Sequence, residues 1–502
     1  MRFESAEQAL EQLRKLEKEQ AAFQHALGVL ELDGASAAPT GSWEGRGIVM
    51  GVLSEKIYNL ISDPQTGELI AYLKARFDEL DAKARREVEV VAKSYNQLHR
   101  IPAEEYVAYT VLLNDAQAIW EQAKNTDDFS LFQPYLQKIV DYNRKFAGYY
   151  NPDMAPYDAL LNEYEEGMCM EVLDEFFSRM RSAIVPLLEQ IRTKENAIHP
   201  FVNRHYPVDV QRKFSDYLMD VMGIDRKYCG IVESEHPFTT NFNHRDVRIT
   251  THYYENNMIP SMYSVIHEGG HALYELGSDP QYDYTALYGG ISMGIHESQS
   301  RFFENIIGRS EPFVHYVFPK IQELFPDQMA DVDADMFYRA VNRVYPSLIR
   351  IESDEVCYCL HIMVRYEIEK RLISGTMDVK DVPETWNRLY REYLGVDVPN
   401  DALGCLQDIH WACGNIGYFP SYALGSAYGA QMMDTMCREL GDVHSDIASG
   451  DLSRVTGWLR ERIHRYASFK KPGQILEETC GTFDAGYYIA YLTEKYTKLY
   501  GL

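Results

Sequence analysis

Apolar side chains recur every three or four positions along almost the whole chain, and only residues 230–260 break that rhythm. A period near 3.6 is satisfied by helices that bury one face against one another. The chain is therefore expected to fold as a mainly α body. Residues 1–31 place Ala9, Leu10, Leu13, Leu16, Ala21, Phe23 and Leu27 near helical spacing among Glu, Gln and Lys. The Gly- and Pro-containing stretch 32–45 predicts a loop. Helical spacing resumes near residue 46 and runs to 150, and Asn151-Pro152 with Ala155-Pro156 marks a turn region. Helices are expected at 169–195 and 207–222. Within 230–260, Val247, Ile249 and Thr251 alternate with Arg248, Thr250 and His252. That period of two predicts a short β-hairpin. From Pro260 the pattern is helical to the C-terminus.

A chain of 502 residues exceeds what one core needs, so several domains are the first expectation. No internal repeat, low-complexity tract or long linker divides it. A single domain over 1–502, in one body or in two helical lobes flanking a groove, fits better. The net charge of −26 repels phosphate backbones, which excludes nucleic acid and anionic membranes as partners. No apolar run approaches the roughly 18 residues of a membrane span. The charged start, Met1-Arg2-Phe3-Glu4, lacks the apolar stretch of a signal peptide. Eight cysteines without a CxxC pair read as reduced, mostly buried thiols. These features point to a cytoplasmic protein.

His267-Glu268-Gly269-Gly270-His271 matches HExxH. Pro260 stands where a helix can begin and Gly277 where it can end. Between them Met262, Val265, Ile266, Ala272, Leu273 and Leu276 form an apolar stripe. Two histidines four apart on a helix project from one face, at a separation suited to one Zn²⁺. Each interior glycine costs about 1 kcal/mol relative to alanine. The tandem Gly269-Gly270 therefore implies close approach of a strand or a substrate. A catalytic zinc site needs a third protein ligand and an open position. Tyr274 stands where the extended motif HExxHxxGxxH needs glycine, so the ligand is expected on a following helix, at 291–307. Glu297 is the first choice there, with His296 and Glu304 as rivals. A site of this kind serves hydrolysis, with Glu268 taking a proton from water and passing it to the leaving amine.

Together with other segments, these residues resemble the thermostable, Taq-type HExxH zinc metallocarboxypeptidases. His236-Pro237-Phe238 matches HPF, and Asp246, Arg248 and Thr250 match DxRxT. His267–His271 and His296-Glu297-Ser298-Gln299 match HExxH and HESQ. Ile349-Arg350-Ile351-Glu352-Ser353-Asp354 matches IRxxAD with Ser353 replacing alanine, and Gly404–Trp411 matches GxxQDxHW. The resemblance implies a helical body with a deep groove, similar to neurolysin-like peptidases, and a small sheet beside the zinc. It also implies homodimers, broad-specificity removal of C-terminal residues, and cobalt as a substitute metal.

A carboxypeptidase must hold the terminal carboxylate of its peptide, which arginine does best. Arg350 is the first choice and Arg248 the second; Asp354 and Asp246 are the salt-bridge partners that would make them structural instead. His410 and Tyr422 are candidates to donate hydrogen bonds to an oxyanion or to substrate, and His236 to line the groove. Two rivals remain: an endo- or oligopeptidase with the same metal site, and a non-catalytic helical scaffold around a structural metal.

Overall fold

The computed structural model describes residues 3–195 and 197–502. Among the described residues the chain is 69% helical with one three-stranded sheet. Nine α-helices among the described residues precede the sheet: α1 (Ala6–Ser36), α2 (Trp43–Ser62), α3 (Pro64–Lys74), α4 (Ala82–Arg100), α5 (Ala103–Thr126), α6 (Phe129–Tyr150), α7 (Pro156–Tyr164), α8 (Met170–Arg192) and α9 (Val208–Val221). After it come α10 (Ile259–Leu276), α11 (Met293–Arg301), α12 (Glu311–Leu324), α13 (Ala334–Val341), α14 (Glu355–Ser374), α15 (Val382–Tyr393) and α16 (Pro420–Leu440). Four more helices follow among the described residues: α17 (Val443–Ser449), α18 (Ser453–Arg462), α19 (Pro472–Cys480) and α20 (Ala485–Tyr500). A small core in α1, α3 and α4, with Ala9, Leu13, Leu73 and Val88, is separate from the main core that unites most other helices.

The helices expected at 169–195 and 207–222 are α8 and α9. The loop expected at 32–45 is shorter than that. α1 continues to Ser36, and α2 begins at Trp43 after a single 3₁₀ turn. Buried Leu32 anchors the last turns of α1, and Gly34 lies against the Arg46 guanidinium of α2. Packing between the two helices overrides the low helical preference of this small-residue segment.

The expected hairpin is present as β2 (Thr239–Asn243) and β3 (Asp246–Thr251), paired antiparallel with Thr239 opposite Ile249. A third strand, β1 (Cys229–Glu233), pairs parallel to β3, giving the order β1-β3-β2. Periodicity misses β1 because it is five residues long, contains Gly230 and exposes Val232. Beyond Pro260 the chain is less continuously helical than its spacing suggests. Irregular stretches at 277–292, 342–354 and 394–419 intervene, and the last carries Gln407–Trp411.

α10 begins with Pro260 in its first turn and ends at Gly277. Gly277 keeps right-handed backbone, φ −79°, so the His464 ring against it, rather than a left-handed turn, excludes a side chain there. The tandem glycines do mark close approach, but by the turn that ends α9 and by α11 rather than by a strand or substrate. A methyl group on Gly269 would meet Met222 and Ile224 side chains. One on Gly270 would lie 2.5 Å from the Gln299 carbonyl of α11. On the far side of α11, Gly425 of α16 is equally bare, because a methyl there would sit 2.7 Å from Cβ of Glu297. Three helices thus stack nearly backbone to backbone. Overpacking at such a contact costs about 1–3 kcal/mol, since neither neighbour can yield.

Candidate metal centre

α10 and α11 bring His267, His271 and Glu297 together. One ligand atom from each lies within 4.8 Å of the other two. Glu297 Oε2 is 3.8 Å from His267 Nε2 and 3.6 Å from His271 Nε2. Donors around a tetrahedral zinc at about 2.0–2.2 Å are separated by roughly 3.3–3.6 Å, so the three fit a divalent ion with slight contraction. Glu297 is buried, whereas the imidazole side chains are 19% and 16% exposed. Solvent therefore reaches the imidazole side of the cluster. A second cluster, Glu311, His315 and Asp335, lies on the surface, and the Lys498 ammonium already sits on Glu311.

Each donor is held by a partner: Arg301, which the sequence did not flag, and Glu304 and His296, which it offered only as rival ligands. Arg301, one turn after Glu297, donates from Nε to Glu297 Oε1 at 2.7 Å, leaving Oε2 for the imidazoles. Its Nη1 donates to Glu304 at 3.1 Å. Glu304 is not a third ligand but accepts from His267 Nδ1 at 2.8 Å, turning Nε2 toward the centre. Carboxylate–imidazole pairs of this kind fix the ligating nitrogen. Burial pushes the Glu304 carboxyl up, but Arg301, His267 and Arg309 outweigh it and hold it well below the usual range. Burial likewise opposes a charged His267, but Glu297, Glu304 and Glu268 leave its ring above the ordinary value. Burial, with His296 and His267 nearby, holds His271 well below the ordinary value, which keeps it neutral and able to ligate. The other rival, His296, lies behind His271, with the two Nδ1 atoms 2.6 Å apart.

Glu268 is buried at the edge of this centre. Thr239 of β2 donates to its Oε2 at 2.6 Å. Burial raises the carboxyl above its ordinary range, which suits a proton acceptor working near neutral pH. Two residues along β2, on the same strand face, Asn241 donates to Glu275 Oε2 at 2.8 Å. The small sheet thus braces α10 at both places. The spacing of Glu297, Arg301 and Glu304, at i, i+4 and i+7, could have flagged one helix face. Nothing local in the sequence points to Thr239.

The candidate substrate residues fall in separate places. Arg350 is 5% exposed, and its partner is Asp408, not Asp354. Nε and Nη2 donate to Asp408 Oδ1 at 3.1 and 2.9 Å, and Nη1 donates to the Tyr358 hydroxyl at 3.2 Å. Asp354 instead caps α14 through the Val356 and Cys357 N–H groups. Arg248 is closed by a fork onto Asp246, with two bonds of 2.9 Å. His410 Nε2 lies 3.4 Å from the Tyr422 hydroxyl, and the Tyr422 ring faces the Arg350 guanidinium at 5.0 Å. Burial pushes the His410 ring down to about 4, so it is neutral. Its buried Nδ1 has no hydrogen-bond partner among the described residues. His236 is exposed and accepts from Ser234 through its carbonyl.

All eight cysteines are free thiols, and among the described residues no helix is long and apolar enough to cross a membrane. Residues 12–496 match the model of the carboxypeptidase Taq (M32) metallopeptidase family. The chain is 40% identical to carboxypeptidase 1 of Bacillus subtilis over 95% of its own length and 96% of that protein's. It is 36% identical to thermostable carboxypeptidase 1 of Pyrococcus furiosus, over 94% and 95% of the two chains. The crystal structure of the M32 carboxypeptidase from Deinococcus radiodurans superposes with a TM-score of 0.96 at 34% identity, covering 98% of this chain and 100% of the other. With the donor cluster, its bracing and a match from end to end, the chain belongs to the carboxypeptidase Taq (M32) family and is a metallocarboxypeptidase acting on peptides.

Proposed function

We propose that this protein is a zinc-dependent carboxypeptidase of broad specificity, with His267, His271 and Glu297 as ligands and Glu268 as the catalytic carboxylate. Bound there, zinc (or cobalt as a substitute) would make a water acidic and polarise the scissile carbonyl. The protein's part is to position groups and move a proton. Glu268, steadied by Thr239, takes a proton from the attacking water and delivers it to the departing amine. The observation that carries this reading is the buried Glu268 carboxylate beside the three converging donors.

Arg350 is the proposed anchor for the terminal carboxylate. A guanidinium has five N–H donors, and Asp408 and Tyr358 take three hydrogen bonds. That leaves two donors for substrate, and the Tyr422 ring lies 5.0 Å from the guanidinium; neutral His410 and the Tyr422 hydroxyl would donate to substrate beside it. Arg248, already closed by Asp246, is the second choice, and His236 would contact the peptide farther along the groove. A peptide and its C-terminally amidated twin test the anchor. Stepwise loss of single C-terminal residues is expected from the free acid, with cleavage of the amide slower by at least about 10-fold, the worth of one lost charged contact. Equal rates on both would leave an endo- or oligopeptidase. Residues 1–502 are proposed to work as one domain, in the cytoplasm, where unpaired thiols persist. The family resemblance supports a homodimer; a mass of 57.9 kDa by light scattering would overturn that state.

A further inference from the structure

The two histidine ligands are braced by different means. His267 meets its carboxylate directly, through Glu304. His271 does not. Its Nδ1 lies 2.6 Å from Nδ1 of His296, and His296 Nε2 lies 2.8 Å from Glu275 Oε1. Glu275 stands one turn beyond His271 on α10 and is itself buried. Its Oε1 also accepts from the Gly290 N–H at 3.0 Å, and its Oε2 from Asn241 of β2 at 2.8 Å. Gly290 leaves no room for a side chain, since a methyl group there would lie 2.5 Å from the His296 ring. The Tyr274 ring also packs on His296, with centroids 5.1 Å apart, and meets the same Gly290 position. His296 is thus packed by Gly290 and Tyr274 and partnered at both nitrogens.

We infer that His296 is a positioning residue that fixes the protonation pattern and aim of His271 by relaying its hydrogen bond to Glu275. The inference rests on His271 being a metal ligand through Nε2. Given that, chemistry permits one arrangement. A neutral imidazole whose Nε2 lone pair faces a cation carries its proton on Nδ1. That proton points at His296 Nδ1, which must accept it and so carries no proton. The His296 proton then sits on Nε2 and is donated to the Glu275 carboxylate. Each group has one role, and a charged His296 would break the chain at its first link. The carboxylate's influence reaches the ligand through a second ring, and Glu275 joins that ring to β2 and to the loop before α11.

Three variants separate relay from packing. Asparagine at 296 sets an amide oxygen about where Nδ1 lies and can still accept the His271 proton. Glutamine sets its amide nitrogen about where Nε2 lies, so it keeps the bond to Glu275 but not the one to His271. Leucine keeps bulk and neither bond. Apoprotein of the wild type and of His296→Asn, His296→Gln and His296→Leu would be titrated with Zn²⁺ against a chromophoric chelator. The Co²⁺ forms would be compared by their visible ligand-field spectra. Loss of an outer partner weakens metal binding by about 10–100-fold. That loss is expected for His296→Leu and His296→Gln, with an altered cobalt spectrum, while His296→Asn stays within about 5-fold of wild type. Glutamine matching wild type while asparagine fails, or leucine binding as tightly as wild type, would overturn the relay. A wild-type protein that takes up no metal would overturn the metal reading itself and the relay with it. If leucine does not fold, the asparagine–glutamine order alone decides.

Discussion

Glu268→Gln is expected to lower kcat/KM by about 10²–10⁴-fold, the usual worth of a positioned proton-transfer group, with metal content unchanged. Glutamine has nearly the shape of glutamate, and its amide oxygen can still accept the Thr239 hydroxyl that bonds Glu268 Oε2 at 2.6 Å. The buried pocket is thus preserved and none of the three donors is touched. What disappears is the lone pair that would take the proton from water. The expected result is a protein that folds, holds one metal per chain by elemental analysis and binds peptide, but barely turns it over. Activity within about 10-fold of wild type would remove Glu268 from the chemistry, since that is below the range for general-base loss.

Glu297 should fail differently. Glu297→Gln is expected to weaken metal binding by more than about 100-fold, beyond what losing an outer partner costs, and to abolish activity at ordinary metal concentrations. The amide oxygen can still accept from Arg301, which donates to Glu297 Oε1 at 2.7 Å. The fold should therefore survive. Glu297→Ala removes that acceptor as well and leaves the largely buried Arg301 with Glu304 as its remaining carboxylate partner. Breaking one side of a buried ion pair costs about 3–5 kcal/mol, so the alanine variant should also melt at a clearly lower temperature. Metal titration and Tm, measured on both variants, separate ligation from support. Full metal binding by the glutamine variant would exclude Glu297 as a ligand.

The helical architecture was legible because a 3.6-residue period spans most of the chain and because α10 carries its own start and stop in Pro260 and Gly277. His267 and His271 were legible for the same reason: helix geometry alone puts residues four apart on one face. Glu297 needed more, since His296 and Glu304 sit on the same helical stretch and only tertiary packing shows which side chain meets both imidazoles. The bracing residues were hidden. Thr239 and Glu268 are 29 residues apart, and Arg350 and Asp408 are 58 apart. No local rule pairs such positions. Arg350 was expected to be either free for substrate or tied to the nearby Asp354; its partner arrives from the irregular stretch before α16. The tandem glycines were correctly unusual, but spacing cannot say whether a strand, a peptide or another helix fills the space they leave.

That helix contact limits how such a centre can change. A gap filled by side chains can be widened or narrowed one methylene at a time. Between α10 and α11 the filler at Gly270 is the Gln299–Ser300 main chain, and at Gly425 of α16 it is the Cβ, Cγ and carbonyl carbon of Glu297 itself, neither of which comes in graded sizes. The distance between the imidazoles and Glu297 is therefore not a quantity that small core substitutions can tune. Variants seeking a different ion or a looser cage would have to alter the donors or their outer partners, because the spacing beneath them has no intermediate settings.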